Sequence, residues 1–438
     1  MLLSCPVNLM SPMFSQLDTR HWISLWVFVF AVTVVTAPGH GGQAAIVLLF
    51  TALYFLFAKK GQLFAFALSA QEKIFLTLVL IFFGWQLFGV LYQPEGYEYE
   101  TIRQRFKAFD YPLRWLLLIP VFLLFRRYLI DWRVAAIGMS VGAIIAAGIA
   151  HYQVYYLGVA RAWGGSSHQI PFAELMVAID LLLWMLMIYA WDKGHKFLSG
   201  FLLLSSLAAF YGSLMSVTRG AWLAYVAMML IWIIYTLGKT FRNIKHLFTT
   251  PILLRLLFAG VVFFAVSQTD QYKRIEARTT SSINNFVQGG IESADKARAI
   301  LFEDSFTSIK AYPFGIGTDN FDAIKVDSPF MSEKGYRSSH AHNELLNIWV
   351  ENGVQGLFSL AALLLFACYV FWKGLKSDNQ LARLYGSCGL MLIVSYAIFG
   401  QTQAVFSHQD TLIFFVFYLY FFFGQVQVLL RKDEKLFT

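Results

Sequence analysis

Apolar runs of membrane-spanning length set the first limit on what this chain can become. A helix that crosses a bilayer needs about 20 mostly apolar residues, because every backbone polar group must be satisfied within the segment. About twelve such runs can be drawn, with approximate limits 22–38, 42–58, 74–92, 112–130, 134–158, 170–190, 197–216, 220–238, 251–268, 343–372, 382–404 and 410–430. Hydrophobic residues make up 58% of the sequence and charged residues only 14%, which places it in the membrane class. The expected fold is an all-α integral membrane protein with about 12 transmembrane helices in one domain over residues 1–438. A stretch at 62–70 is too short to cross and is expected to be re-entrant or interfacial. The basic pair Arg20-His21 precedes the first run, which reads as a retained span rather than a cleavable signal.

The net charge of +8 does not point to nucleic acid, because the 34 Lys and Arg lie in short clusters between apolar runs rather than in a basic stripe with interleaved aromatics. Their placement orients the chain instead. Loops of one parity carry Lys59, Lys60 and Lys73; Arg126, Arg127 and Arg133; Lys193 and Lys196; Lys239, Arg242, Lys245 and Arg255; and Lys373, Lys376 and Arg383. Arg20, Arg431, Lys432 and Lys435 fall on the same side. The short loops around His40 and His408 carry no Lys or Arg, and those at Arg161 and Arg219 carry one each. Only the connection bearing Arg103, Arg105, Lys107 and Arg114 is ambiguous. By the positive-inside rule both termini are cytoplasmic, and the long polar segment 269–342 lies outside the cytoplasmic membrane. Nucleotide-activated substrates are absent from that face, so an enzyme acting there would use an activated, lipid-linked one.

The densest group of chemistry-bearing residues lies where this segment meets the next span. His342 precedes Asn343, Glu344, Asn347 and Glu351, and Asn343, Asn347 and Glu351 recur every four residues as a polar stripe entering the bilayer. A histidine suits general-base work near neutral pH, and a nearby carboxylate would orient its ring. The alternative is a solvated helix start with an interhelical hydrogen-bond seam, and His340 competes two positions earlier. Gly353 and Gly356 are expected to let a neighbouring helix approach closely. Arg219, in the tight turn Ser216-Val217-Thr218-Arg219-Gly220, is either a snorkelling anchor or a phosphate ligand at headgroup level. Arg298, in the helically patterned stretch 293–302, is a second phosphate ligand or a solvated face residue. Arg161 and His168, on another outer loop, are weaker donor-site candidates. Cys5, Cys368 and Cys388 fit neither a disulfide framework nor a zinc ligand set, and no metal-binding or nucleotide-cradling motif is present in a suitable context. No metal or other cofactor is expected.

Taken in order, Ser216-x-x-Arg219-Gly220, Arg298, Tyr312-Pro313-x-Gly315-x-Gly317-x-x-x-Phe321 and His342-Asn343-Glu344 with Glu351, Gly353 and Gly356 resemble the O-antigen ligase and O-antigen polymerase superfamily of bacterial inner membranes. The resemblance implies a metal-independent, inverting, GT-C-like glycosyltransferase that takes a glycan from undecaprenyl pyrophosphate at the periplasmic face. It implies His342 as general base and Arg219 and Arg298 as the residues holding the pyrophosphate. Within the superfamily, a lipopolysaccharide ligase that uses lipid A-core as acceptor is the leading reading. Polymerases tend to lack so clear a His-Asn-Glu motif, and many protein oligosaccharyltransferases carry an added domain that the short tail from Arg431 is not expected to provide. A transporter of lipid-linked glycan is the reading from another class, but no convincing repeat relates the two halves of the chain.

Overall fold

A computed structural model describes residues 16–57, 67–239, 250–269, 293–324 and 338–434, with a few positions between 272 and 281. Cys5, Lys59, Lys60, Arg242, Lys245 and most of the 62–70 stretch lie outside the described residues. The helices are α1 (Gln16–Thr36), α2 (His40–Phe57), α3 (Ala70–Leu91), α4 (Ile102–Leu117), α5 (Ile119–Phe125), α6 (Trp132–Tyr155) and α7 (Gln169–Asp192). They continue with α8 (Lys196–Met215), α9 (Arg219–Lys239), α10 (Thr250–Ser267), α11 (Ser293–Ala311), α12 (Glu344–Lys376), α13 (Gln380–Phe399) and α14 (Gln409–Glu434).

Ten helical segments among the described residues are long and apolar enough to cross a membrane, with α4 and α5 counting together as Ile102–Phe125. The remaining two expected spans, the eighth and ninth, coincide with the helices α9 and α10. The fourth begins about ten residues before the hydropathy signal. Its first turns carry Arg103, Arg105 and Lys107, too polar to register, and are set by a capping box between Thr101 and Gln104. Pro120, at the start of α5, accompanies the break at Leu118.

α14 is the centre of the bundle: 94% of an apolar 18-residue window within Gln409–Arg431 is buried inside the protein. Its aromatic side chains stack on the surrounding helices, Phe417 on Phe30 at 3.6 Å and Phe423 on Phe75 at 4.0 Å between ring centroids. Around it α1 packs on α2 and α6, α7 on α8, and α12 on α3 and α13.

Helix alternation brings the turns 37–39, 92–101, 156–168, 216–218 and 400–408 to one end, together with α11 and the start of α12. The opposite end holds Arg126, Arg127, Arg133, Lys193, Lys196, Lys373, Lys376, Arg383 and Arg431. There the buried Arg126 meets Glu72 through Nε at 2.7 Å and Nη2 at 3.0 Å, joined by Arg431 at 3.3 Å. At the first end, Lys107 bridges to Asp319 at 3.0 Å and Arg114 pairs with Asp110. These cations of the ambiguous connection are thus bound into the scaffold. A small separate core joins α11 to the loop beyond it and to α12, through Leu301, Ile309, Ile316, Phe321, Leu346 and Val350.

Candidate active site

Three loops meet at that end, and the one following α11 is seated in a break of α12. Gly353 adopts φ +70° and ψ −177°, interrupting the helix about two and a half turns below its start at Glu344. The interruption exposes backbone groups that a continuous helix would pair internally. The loop satisfies them: Ile316 N–H donates to Val350 O at 3.0 Å, Gly317 N–H to Glu351 O at 2.9 Å, and Val354 N–H to Pro313 O at 3.1 Å. A Cβ on Gly353 would lie 2.4 Å from the Phe314 carbonyl carbon, and one on Gly315 2.4 Å from Glu351 O. The expectation that Gly353 admits a neighbouring helix is therefore corrected. It admits a loop backbone, at a φ that glycine alone tolerates well.

This docking also changes the meaning of the polar stripe. Asn343 is the N-cap of α12, its Oδ1 accepting from Leu346 N–H at 3.0 Å. Asn347 Oδ1 accepts from Ala341 N–H at 3.0 Å, which folds the preceding segment back over the helix. Glu351 accepts from the Asn347 side chain and from the backbone N–H of Asp319. Glu344, Asn347, Glu351, Asp319 and Gln86 line a small cavity of about 30 Å³. Burial raises the Asp319 carboxyl, opposed by Lys107.

His342 stands at φ +52°, a left-handed conformation unfavourable for any side chain with a Cβ. The expected carboxylate orienter is not what its ring meets: Nδ1 lies 2.8 Å from Gln403 Oε1. Gln403 is buried, and its amide nitrogen lies 2.7 Å from His408 Nε2. His340, also buried, packs edge-on against His342 at 4.3 Å and accepts the His342 backbone N–H at Nδ1. Its ring also meets His408 at 5.7 Å. Burial pushes the His340 pKa down to about 3 and that of His408 to about 4, each assisted by neighbouring histidines. Burial also lowers His342, partly offset by its bond to Gln403 and reinforced by the positive charge of Arg298.

Glu344 supports this group from below. Its carboxylate accepts the backbone N–H groups of Phe406, at 2.9 Å, and Val405, while its own N–H donates to Gly400 O at 2.7 Å. It ties the start of α12 to the turn that carries Gln403 and His408. On the other side of that turn, a Cβ on Gly220 would lie 2.6 Å from Thr402 Oγ1, so the Ser216–Gly220 turn bearing Arg219 packs next to Gln403. Arg161 braces the same turn, with Nε donating to Ser216 O and Nη2 to Thr218 Oγ1, each at 3.0 Å. His168 caps α7, and its pKa is lowered by burial and then by Arg161. Arg298 is an exposed residue of α11, within electrostatic reach of His342.

Sequence reasoning passed over Gln403, His408 and Asp410. Buried Asp410 accepts from Ser166 Oγ at 2.8 Å, Ser167 N–H at 3.2 Å and Gly39 N–H at 3.2 Å, holding three loops together. The available signal was a short stretch, 400–410, without Lys or Arg that nevertheless held three glutamines, a histidine and an aspartate. Among the described residues, no three His, Cys, Asp or Glu side chains converge in an arrangement able to hold a metal ion.

Fold and site together define a multi-pass, all-helical membrane protein with a buried histidine-glutamine cluster at one end of the bundle. Residues 204–361 match the family described as O-Antigen ligase, a stretch containing the Ser216–Gly220 turn, α11, the 312–321 loop and the first half of α12. The match supports placing the chain in the O-antigen ligase/polymerase superfamily. An uncharacterized protein of Haemophilus influenzae is 24% identical over 398 residues, covering 90% of this chain and 95% of its own length.

Proposed function

We propose that this protein transfers a glycan from undecaprenyl pyrophosphate to a sugar hydroxyl of lipid A-core at the periplasmic face of the inner membrane. Supporting this reading, the charge of Arg298 reaches His342, and the turn that bears Arg219 packs on Thr402, next to the His342 partner Gln403. His342 is the general base, accepting the acceptor hydroxyl proton as that oxygen attacks the anomeric carbon. The bond from carbon to the pyrophosphate oxygen breaks with its electron pair staying on the pyrophosphate, and the anomeric centre inverts. Arg219 and Arg298 stabilise the charge gathering on the leaving group, a task that fixed cations perform well in a site shielded from water. No metal takes part in this reading.

The cations gathered at the opposite end of the bundle support an orientation in which that end, with both termini, is cytoplasmic. The substrates would then enter from the outer leaflet beside the loop at 269–342. Purified protein in liposomes, supplied with lipid-linked glycan and lipid A-core, tests the proposal. Covalent transfer to lipid A-core is expected. Transfer to a second lipid-linked glycan would make the protein a polymerase, transfer to a protein acceptor an oligosaccharyltransferase, and glycan movement without a new bond a transporter.

A further inference from the structure

Three ring nitrogens in the histidine cluster, one on each ring, have their role fixed by a neighbour. Gln403 Oε1 has only lone pairs to offer, so His342 Nδ1, 2.8 Å away, must carry the proton. The amide nitrogen of Gln403 has only protons to offer, so His408 Nε2, 2.7 Å away, must be the acceptor. His340 Nδ1 accepts the backbone N–H of His342 at 3.3 Å and is likewise unprotonated. The nitrogen left with a free lone pair on His342 is Nε2.

We infer that Gln403 is the positioning residue of this site: through its two-sided amide it locks His342 in the Nδ1–H tautomer, so that Nε2 is the nitrogen that takes the acceptor proton. The catalytic use of that nitrogen rests on the glycosyl-transfer reading; the tautomer lock does not. An aspartate or glutamate in this place would hold the same tautomer but would favour the imidazolium, which cannot act as a base. A neutral amide fixes the tautomer with a weaker pull towards protonation. The other groups facing His342 act in the same sense. His340 and His408 are neutral, Arg298 opposes a second positive charge, and the Glu344 carboxylate is turned away to Phe406 and Val405. Gln403 itself is held by its N–H to Phe399 O at 3.0 Å in the turn ending α13.

Full-length protein labelled with ¹⁵N-histidine in lipid nanodiscs tests the lock directly, with His342 signals assigned by their loss in His342→Ala. Nδ1 protonated and Nε2 unprotonated is expected near neutral pH in the wild type, giving way to a mixture in Gln403→Met. A wild-type His342 carrying its proton on Nε2 overturns the inference, whether or not glycan transfer is observed. Transfer kinetics give the second reading. Gln403→Met should lower kcat by about 10-fold or more with donor KM unchanged, below the about 10⁴-fold loss that an enforced wrong tautomer produces. Gln403→Glu should keep transfer but move the acid limb of the pH profile upward by about one unit or more. An unmoved limb in Gln403→Glu, or a Gln403→Met effect confined to KM or thermal stability, would reduce Gln403 to a structural residue. Wild-type protein that shows the expected tautomer yet transfers nothing would sink the glycosyl-transfer reading and leave the lock standing.

Discussion

Replacing Gly353 with alanine is expected to undock the loop after α11 from α12. The backbone at φ +70° and ψ −177° lies in a region open essentially to glycine, where another residue is strained by about 1–3 kcal/mol. The added Cβ would also sit 2.4 Å from the Phe314 carbonyl carbon and 2.6 Å from its Cα, against backbone that cannot rotate away. Relieving that contact means separating the loop and losing the bonds Ile316 to Val350, Gly317 to Glu351 and Val354 to Pro313. Each is worth about 1 kcal/mol net, so strain and lost bonds together reach roughly 4 kcal/mol or more. Hydrogen exchange reads this locally: the Ile316, Gly317 and Val354 amides should exchange about 10³-fold faster while the centre of α14 keeps its protection. Gly84→Ala, where an added Cβ meets nothing within 4 Å, is the matched control and should leave all of them unchanged. Wild-type protection at the three amides in Gly353→Ala would refute the account of the helix break.

Three other outcomes follow from the site. Burial and Arg298 lower the His342 pKa, and a base works in its unprotonated form, so the acid limb of wild-type transfer should have its midpoint below the ordinary histidine value of 6.5; a midpoint above it would contradict the environment described for this ring. Arg219→Ala and Arg298→Ala should each slow transfer by about 10²-fold, near 3 kcal/mol, and lysine should restore little because it lacks the planar fork; full rescue by lysine, measured as kcat/KM for the donor, would reduce either residue to a bare charge. Glu344→Ala strands the buried Phe406 N–H and should destabilise the 400–408 turn by about 1–3 kcal/mol, whereas Glu344→Gln retains an acceptor and should lose less; thermal unfolding of the two variants tests the order.

Much of the bundle could be read from the sequence because a lipid environment punishes unsatisfied backbone, so span length and hydropathy carry the signal. The exception at α4 fails for that same reason: its first turns carry Arg103, Arg105 and Lys107, of which Arg105 meets Gln93 and Lys107 meets Asp319, and only the Thr101 cap marks the start. The motif residues were equally visible as polar groups at the ends of apolar runs. Their relations were not. Sequence spacing places Asn343, Asn347 and Glu351 in one stripe beneath His342, and Glu351 does accept from Asn347, but spacing does not show that the break at Gly353 seats a loop whose Asp319 N–H also reaches Glu351. The partner of His342 lies 61 residues away in a turn that no local periodicity connects to it.

Strain explains why the parts must come from so many helices. Among the described residues, three non-glycine residues adopt positive φ: Val217 at 53°, Asp319 at 52° and His342 at 52°. One lies in each of the three motif-bearing loops. Each such backbone is unfavourable by about 1–3 kcal/mol, and for the β-branched Val217 the conformation is a genuine outlier. No loop would hold that shape alone, so each is fixed from elsewhere. Arg161 braces the turn containing Val217, Lys107 and Glu351 hold Asp319, and Gln403 holds His342. Of these braces, only Glu351 falls within the matched stretch 204–361; Lys107 and Arg161 precede it and Gln403 follows it. The residues that carry the resemblance are therefore placed largely by residues that do not, and the site exists only once α4, the α6–α7 turn and the α13–α14 turn have closed around it.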